Sequence, residues 1–269
     1  MSSDIMPMTE PRPRRQRSQD SGATDAALLF DEPGPRGRIL IAIGSVVAVI
    51  GIAALAAAVL YRLDLAGQLD YPKWRYFLGQ SVVSQLLEAA GTTLTLGGVA
   101  AVLTFPLGIA LGWLRLLDNR PIKWLIGLWI DAMRAVPMLL LVYFFLLVVP
   151  RFATISDFWK LALPIVMCTS ATTAEVFRSG VRALDRGQTE AAWALGMSPS
   201  LTMRLILAPQ ALRLMLPTLI TQMVTIIKGT TLAYVLAYPE LMYRGSTMIG
   251  QAKIDAHLSV FFQTYVIIA

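Results

Sequence analysis

Residues 39–60 read ILIAIGSVVAVIGIAALAAAVL, 22 positions without a charged side chain, closed by Tyr61 and Arg62. At 1.5 Å per residue such a helix is about 33 Å long, enough to cross a hydrocarbon core of about 30 Å. Working outward from it, four more apolar runs occupy residues 89–114, 124–149, 161–177 and 209–236. Asp131 and Arg134 interrupt the run at 124–149, Glu175 sits near the end of the next, and Lys228 lies deep in the last, with Arg213 near its start. Residues 258–269 open a sixth run that stops after 12 positions, too few to span, and this helix is expected to be truncated. The expected fold is an all-α polytopic membrane protein in which one extra N-terminal transmembrane helix (39–60) precedes a five-helix core.

The composition agrees. Of 269 residues, 56% are hydrophobic and 15% charged, and the mean hydropathy is +0.61. A soluble domain is about half apolar and a quarter charged. That difference, gathered into uncharged runs, excludes a soluble enzyme, a disordered chain and a disulfide scaffold. The single Cys168 has no internal disulfide partner, and the single His257 cannot supply a histidine-based metal site. No GxxxxGK[ST] stretch is present to cradle ATP. Neither a cofactor, a metal nor a catalytic residue is expected.

The net charge of +6 has to be read by position. With the N-terminus in the cytoplasm, 14 of the 23 basic residues fall on the cytoplasmic side, seven outside, and Arg134 and Lys228 within spans. The excess is thus an orientation signal, and nucleic acid is not expected as a partner. Residues 1–38, rich in Pro, Arg, Ser and Asp, are expected to be a disordered basic cytoplasmic tail with no cleavable signal peptide. Its cluster Arg12 to Arg17 reads as a topogenic signal, or as a contact for anionic membrane lipid. Residues 61–87 are expected to form an extracytoplasmic loop. Trp113, Trp124 and Trp129 read as interfacial anchors.

Residues 178–208 are too polar for the bilayer and too patterned for a linker. Gly187-Gln188-Thr189-Glu190-Ala191-Ala192-Trp193-Ala194-Leu195 is rich in helix formers, and Gly196 offers the left-handed position that ends helices. Ser198-Pro199 is a start signal for a second short helix, expected to run to about Leu207 before Pro209 breaks it. Small side chains at Ala191 and Ala192 would admit a close partner, and Glu190 and nearby arginines such as Arg204 offer charged contacts. A plain interfacial hairpin joining two spans is the competing reading.

Glu190-Ala191-Ala192, followed by Gly196 and then Ile206-Leu207-Ala208-Pro209-Gln210-Ala211, resembles the EAA loop of ABC importer permeases. Its form is similar to that of the polar amino acid uptake subfamily. Ala174-Glu175-Val176-Phe177-Arg178-Ser179-Gly180, Arg186-Gly187-Gln188, Arg134-Ala135-Val136-Pro137 and Gly91-Thr92-Thr93-Leu94 resemble further segments of that subfamily. Lys228-Gly229-Thr230-Thr231 falls where the subfamily has an acidic residue after the lysine, so Gly229 is a departure. Asp31 to Arg38, Gly67 to Asp70 and Lys73-Trp74 resemble the larger permease subunit of actinobacterial glutamate importers. The resemblance implies that residues 88–269 form the permease domain. It also implies a heterodimer with a second permease, an ABC ATPase dimer, an extracytoplasmic substrate-binding lipoprotein and an amino acid substrate, with glutamate the expected cargo.

On that resemblance, Gly187, Glu190, Ala191, Ala192, Gly196 and Arg204 belong to an ATPase-coupling loop. Charges inside spans are costly and mark function by default, so Lys228, Thr230, Thr231 and Arg134 are candidates for the substrate path. The competing reading of Arg134 is an i,i+3 pair with Asp131, and Glu175 with Arg178 reads as another. Gly108 and Gly112 have GxxxG spacing, suited to a subunit seam or to packing within the subunit. A channel or secondary carrier working without ATP, a permease for another polar amino acid, and an intramembrane enzyme are the alternatives. The EAA-like loop and the absence of a visible internal repeat weigh against a carrier.

Overall fold

The computed structural model describes residues 34–268; the remainder of the N-terminal tail, including Arg12 to Arg17 and Asp31, lies outside the described residues. The chain divides into two units, Met1–Gly67 and Gln68–Ala269. The described part of the first is one helix, α1 (Pro35–Leu65), started by Pro35 and without a buried side chain. Its uniform apolar surface is that of a helix with lipid as its solvent.

The second unit begins with a short α2 (Tyr71–Arg75) and then α3 (Gln80–Leu114). A turn at Arg115 leads to α4 (Arg120–Ala135), capped by the Asn119 side chain, which accepts the Ile122 N–H. The helix α5 (Met138–Leu147) follows, and then α6 (Asp157–Arg182). Two short helices, α7 (Arg186–Ala194) and α8 (Pro199–Thr202), precede the long α9 (Ala208–Gly229) and a 3-10 segment (Thr230–Leu236). The chain ends in α10 (Leu241–Asp255) and α11 (Phe261–Ile268). No strand occurs among the described residues.

Among the described residues, three helical runs are long and apolar enough to cross a bilayer by themselves: Pro35–Leu65, Gln80–Leu114 and Pro199–Leu236. The run at 124–149, expected as one span, is two helices bent by 95°. Val136 precedes a proline and Pro137 lacks an N–H; both take extended backbone (ψ 125° and 126°), so two consecutive residues leave the helix. The run at 161–177 lies in α6, the central helix, against which α3 packs most extensively. Thirteen of its residues are buried, so α6 faces protein rather than lipid and carries hydroxyls that a lipid-facing span would avoid. Those hydroxyls bond to carbonyls one turn back, Thr169 to Ile165 (2.5 Å) and Thr173 to Thr169 (2.8 Å), and Thr104 of α3 meets Thr169 at 2.8 Å.

Gly108 and Gly112 are the contact surface between α3 and α6. A Cβ on Gly108 would stand 2.6 Å from the Thr173 Cβ, and one on Gly112 would stand 2.6 Å from the Ala174 carbonyl oxygen. The GxxxG spacing therefore packs within the subunit.

Two further corrections concern the C-terminal half. Pro209 does not break the chain's course: Met203–Leu207 form a π turn, with the Ala208 N–H donating to the Met203 carbonyl, and the run from Pro199 to Leu236 continues. A π turn widens the helix where a proline ring would otherwise strike the carbonyl four residues back. The residues before 258, which lie outside the expected spans, contain α10, which buries Met248 and Ala252 against Phe77, Val82 and Val260. Its start is fixed by Glu240, fully buried, whose carboxylate accepts the N–H groups of Met242 (2.8 Å) and Tyr243 (2.7 Å).

Candidate coupling hairpin and charged cluster

Residues 186–202 form the expected helix, glycine turn and helix. Asp185 caps α7 by accepting the Gly187 N–H (2.6 Å), and a Cβ on Gly187 would press on that same carboxylate at 3.0 Å. Gly196 takes φ +77°, the region that costs other residues about 1 kcal/mol or more. The Gly196 N–H donates to Trp193 and the Met197 N–H to Ala192, the paired bonds of a Schellman stop. Ser198 then caps α8 by accepting the Leu201 N–H (3.3 Å).

Glu190, Ala191, Gly196 and Arg204 are exposed, whereas Ala192 is turned inward and buried. The most exposed large apolar side chains of the hairpin are Trp193 and Leu195, at 57% and 81%. Sequence reasoning named neither as a site residue, although both flank the glycine turn. The hairpin is fastened to the bundle by Gln210 at the start of α9, whose amide donates to the Gln188 side chain at 3.2 Å.

The second polar feature is a ladder of charges joining three helices. Arg115, at the end of α3, pairs with Glu175 of α6 and, at 3.3 Å, with Asp131 of α4. Arg178 closes on Glu175 at 2.6 Å. The i,i+3 pair of Glu175 and Arg178 is as expected. Asp131 is different: its partner is Arg115 and not Arg134. Arg134 instead lines a cavity of 490 Å³ with Thr172, Ser179 and Gly180 on one wall and Leu214 and Thr218 on another.

Lys228, in the last turn of α9, is exposed, and its carbonyl accepts the Thr231 hydroxyl at 2.7 Å. Among the described residues no carboxylate lies within ion-pair distance of it. Thr231 is exposed; Thr230 is fully buried and donates to the Ile227 carbonyl at 2.7 Å. A side chain at Gly229 would meet the Met138 sulfur at 3.4 Å and Ile165 at 3.8 Å. That surrounding is apolar, and a carboxylate there would lack a partner.

Residues 104–269 match the family model of the binding-protein-dependent transport system inner membrane component. The chain belongs to that family. It is an ABC importer permease of the amino acid class, and the sequence contains no GxxxxGK[ST] stretch. It is 35% identical over 184 residues to the glutamate transport system permease protein GluD of Corynebacterium glutamicum, covering 66% of this chain and 67% of that one. It is 31% identical over 175 residues to the glutamate/aspartate import permease protein GltK of Escherichia coli, covering 62% and 78%. In fold it is similar to a crystal structure of an amino acid ABC transporter with histidines, at TM-score 0.62 and 24% identity, over 70% of this chain and 86% of that one.

Proposed function

We propose that this permease forms half of the path of a glutamate importer, paired with a second permease and driven by a separate ABC ATPase dimer. An extracytoplasmic binding lipoprotein would deliver the substrate, and the N-terminus would lie in the cytoplasm. The observation that carries the reading is the exposed hairpin of α7 and α8, presenting Glu190, Ala191, Trp193 and Leu195 beside a left-handed glycine turn. A hairpin held by caps, a Schellman stop and the Gln188–Gln210 bond moves as one body with α9. Motion of an ATPase at its surface would then reach Lys228 at the other end of that helix. An exposed lysine without a carboxylate partner suits an anionic amino acid, and relatives named for glutamate agree with it. The two gates would be alternate arrangements of the permease halves, selected by differential contacts with substrate.

Labelled glutamate uptake is measured in cells with and without the gene, with glutamine, aspartate and arginine as competitors. Loss of glutamate uptake, restored by the intact gene, is the expected result. Unchanged glutamate uptake with loss of another amino acid would keep the permease and remove the substrate. For coupling, Gly196→Asp and Ala191→Trp should reach the membrane at normal levels yet lose transport; normal transport in both would remove the hairpin's role.

A further inference from the structure

Beside the charge ladder lies a cavity of 460 Å³ lined by Arg115, Arg120, Lys123, Trp124, Arg178 and Arg182, with Asp131 the one carboxylate on its wall. Arg115 and Arg178 are committed to Glu175 and Asp131. Arg120, Lys123 and Arg182 have no carboxylate within ion-pair distance among the described residues. Three cations around one cavity repel one another, and Arg120 adds the positive end of α4 as its first helical residue. An anion among them would relieve that repulsion.

The helix that carries this cavity has a second face. With 100° between successive residues, Arg120, Lys123, Trp124, Gly127 and Asp131 share one side of α4, and Leu125, Ile126 and Trp129 share the other. That other side borders a cavity of 470 Å³ lined by Leu107, Leu111 and Met167, almost wholly apolar. Leu128 lies between the two, flanked by Trp124 on the basic side and Leu125 on the apolar side, and the three are exposed at 53%, 69% and 60%. α4 is turned 95° from α5, so the two do not share one straight axis through the bilayer. A basic face toward headgroups, an apolar face toward acyl chains and a tryptophan between them are the features of an interfacial helix. A free phosphate would use only the first.

We propose that the basic cavity binds the phosphate of an anionic glycerophospholipid, whose acyl chain passes Trp124 and Leu128 toward the apolar cavity behind α4. The leaflet follows from the orientation proposed above and is the cytoplasmic one. Basic pockets among helices on that side are suited to anionic headgroups, with each cation near the surface contributing roughly a fivefold gain in affinity.

The test is native mass spectrometry of the full chain in non-ionic detergent, with phosphatidylglycerol, phosphatidylcholine or inorganic phosphate added. The readout does not depend on transport, substrate or orientation. Wild type should retain phosphatidylglycerol over phosphatidylcholine and release it as salt rises. R120Q/K123Q/R182Q should weaken that retention about a hundredfold, and R120K/R182K should keep it. The salt arm needs no variant, so a misfolded glutamine variant leaves the test intact. Equal retention of the two lipids, insensitivity to salt, or undiminished binding by the glutamine variant would overturn the proposal. Displacement of phosphatidylglycerol by equimolar inorganic phosphate would also overturn it, as the mark of a free-phosphate site.

Discussion

Replacing Gly112 by alanine tests the contact that holds α3 to α6. An aliphatic carbon meets a carbonyl oxygen comfortably at about 3.3 Å or more. The new Cβ would stand 2.6 Å from the Ala174 oxygen, 3.0 Å from the Phe177 ring and 3.2 Å from the Ala174 Cα. The shortfall at the oxygen is about 0.7 Å. Two of the three neighbours are backbone atoms, so no rotamer change relieves it and the helices must separate. Overpacking of this kind costs about 1–3 kcal/mol. Against it stands the helix preference of alanine over glycine, about 1 kcal/mol. Gly98, on the same helix, isolates that gain, because a Cβ there meets nothing within 4 Å. Gly98→Ala should therefore be neutral or stabilising, and Gly112→Ala less stable than Gly98→Ala by about 1–3 kcal/mol. Reversible unfolding of the purified chain in mixed micelles, followed by circular dichroism, gives both numbers. Equal stability of the two variants would mean that α3 and α6 are not packed through Gly112.

Two other sites make separate predictions. Burial pushes the Glu240 carboxyl above its ordinary value, partly opposed by the N–H groups of Met242 and Tyr243. An acid raised in the folded state favours folding in full below its unfolded pKa and loses that contribution as pH rises through the folded value. Melting temperatures should therefore fall with rising pH above the ordinary carboxylate range, and Glu240→Gln should flatten that slope; parallel curves would sink the assignment. Arg115→Gln should cost about 1–3 kcal/mol in the same unfolding measurement, because Glu175 keeps only Arg178 and Asp131 loses its partner. Asp131→Asn, at the exposed end of the ladder, should cost under about 1 kcal/mol, and equal losses from the two would mean that the ladder is not centred on Arg115.

What could be read from the sequence was whatever rests on local chemistry. The uncharged run at 39–60 is a helix from Pro35 to Leu65, and Gly196 and Ser198 end and start helices where capping rules place them. What was missed depends on neighbours distant in the chain. Asp131 looked toward Arg134 because they are three residues apart, while its partner Arg115 is sixteen residues away on another helix. Ala191 and Ala192 are indistinguishable as letters, yet packing buries one and exposes the other. Pro137 announces a break but not its 95° angle. The helix α10 escaped notice because LMYRGSTMIGQAKID is polar and holds two glycines, and its cap is a buried glutamate outside the usual N-cap set.

Pro209 is the case where a correct local rule led to a wrong conclusion with consequences for mechanism. A proline inside a helix removes one bond and crowds the carbonyl four residues earlier, so a break at 209 was the reasonable reading. A break there would put a hinge between hairpin and membrane, and a hinge absorbs motion. The π turn at Met203–Leu207 removes the conflict by widening the helix just before the proline. The axis therefore continues from Pro199 to Leu236. From Arg204 to Lys228 is 24 residues, about 36 Å of helix, with Gln210 tied back to Gln188 on the hairpin. In the proposed importer such a rod would carry displacement at the cytoplasmic hairpin to the lysine along one continuous helical run, with Pro217 as its interior proline. A glycine pair at Leu205 and Ile206, which would loosen the π turn while leaving both the hairpin surface and Lys228 in place, should then weaken coupling as strongly as a change at Ala191.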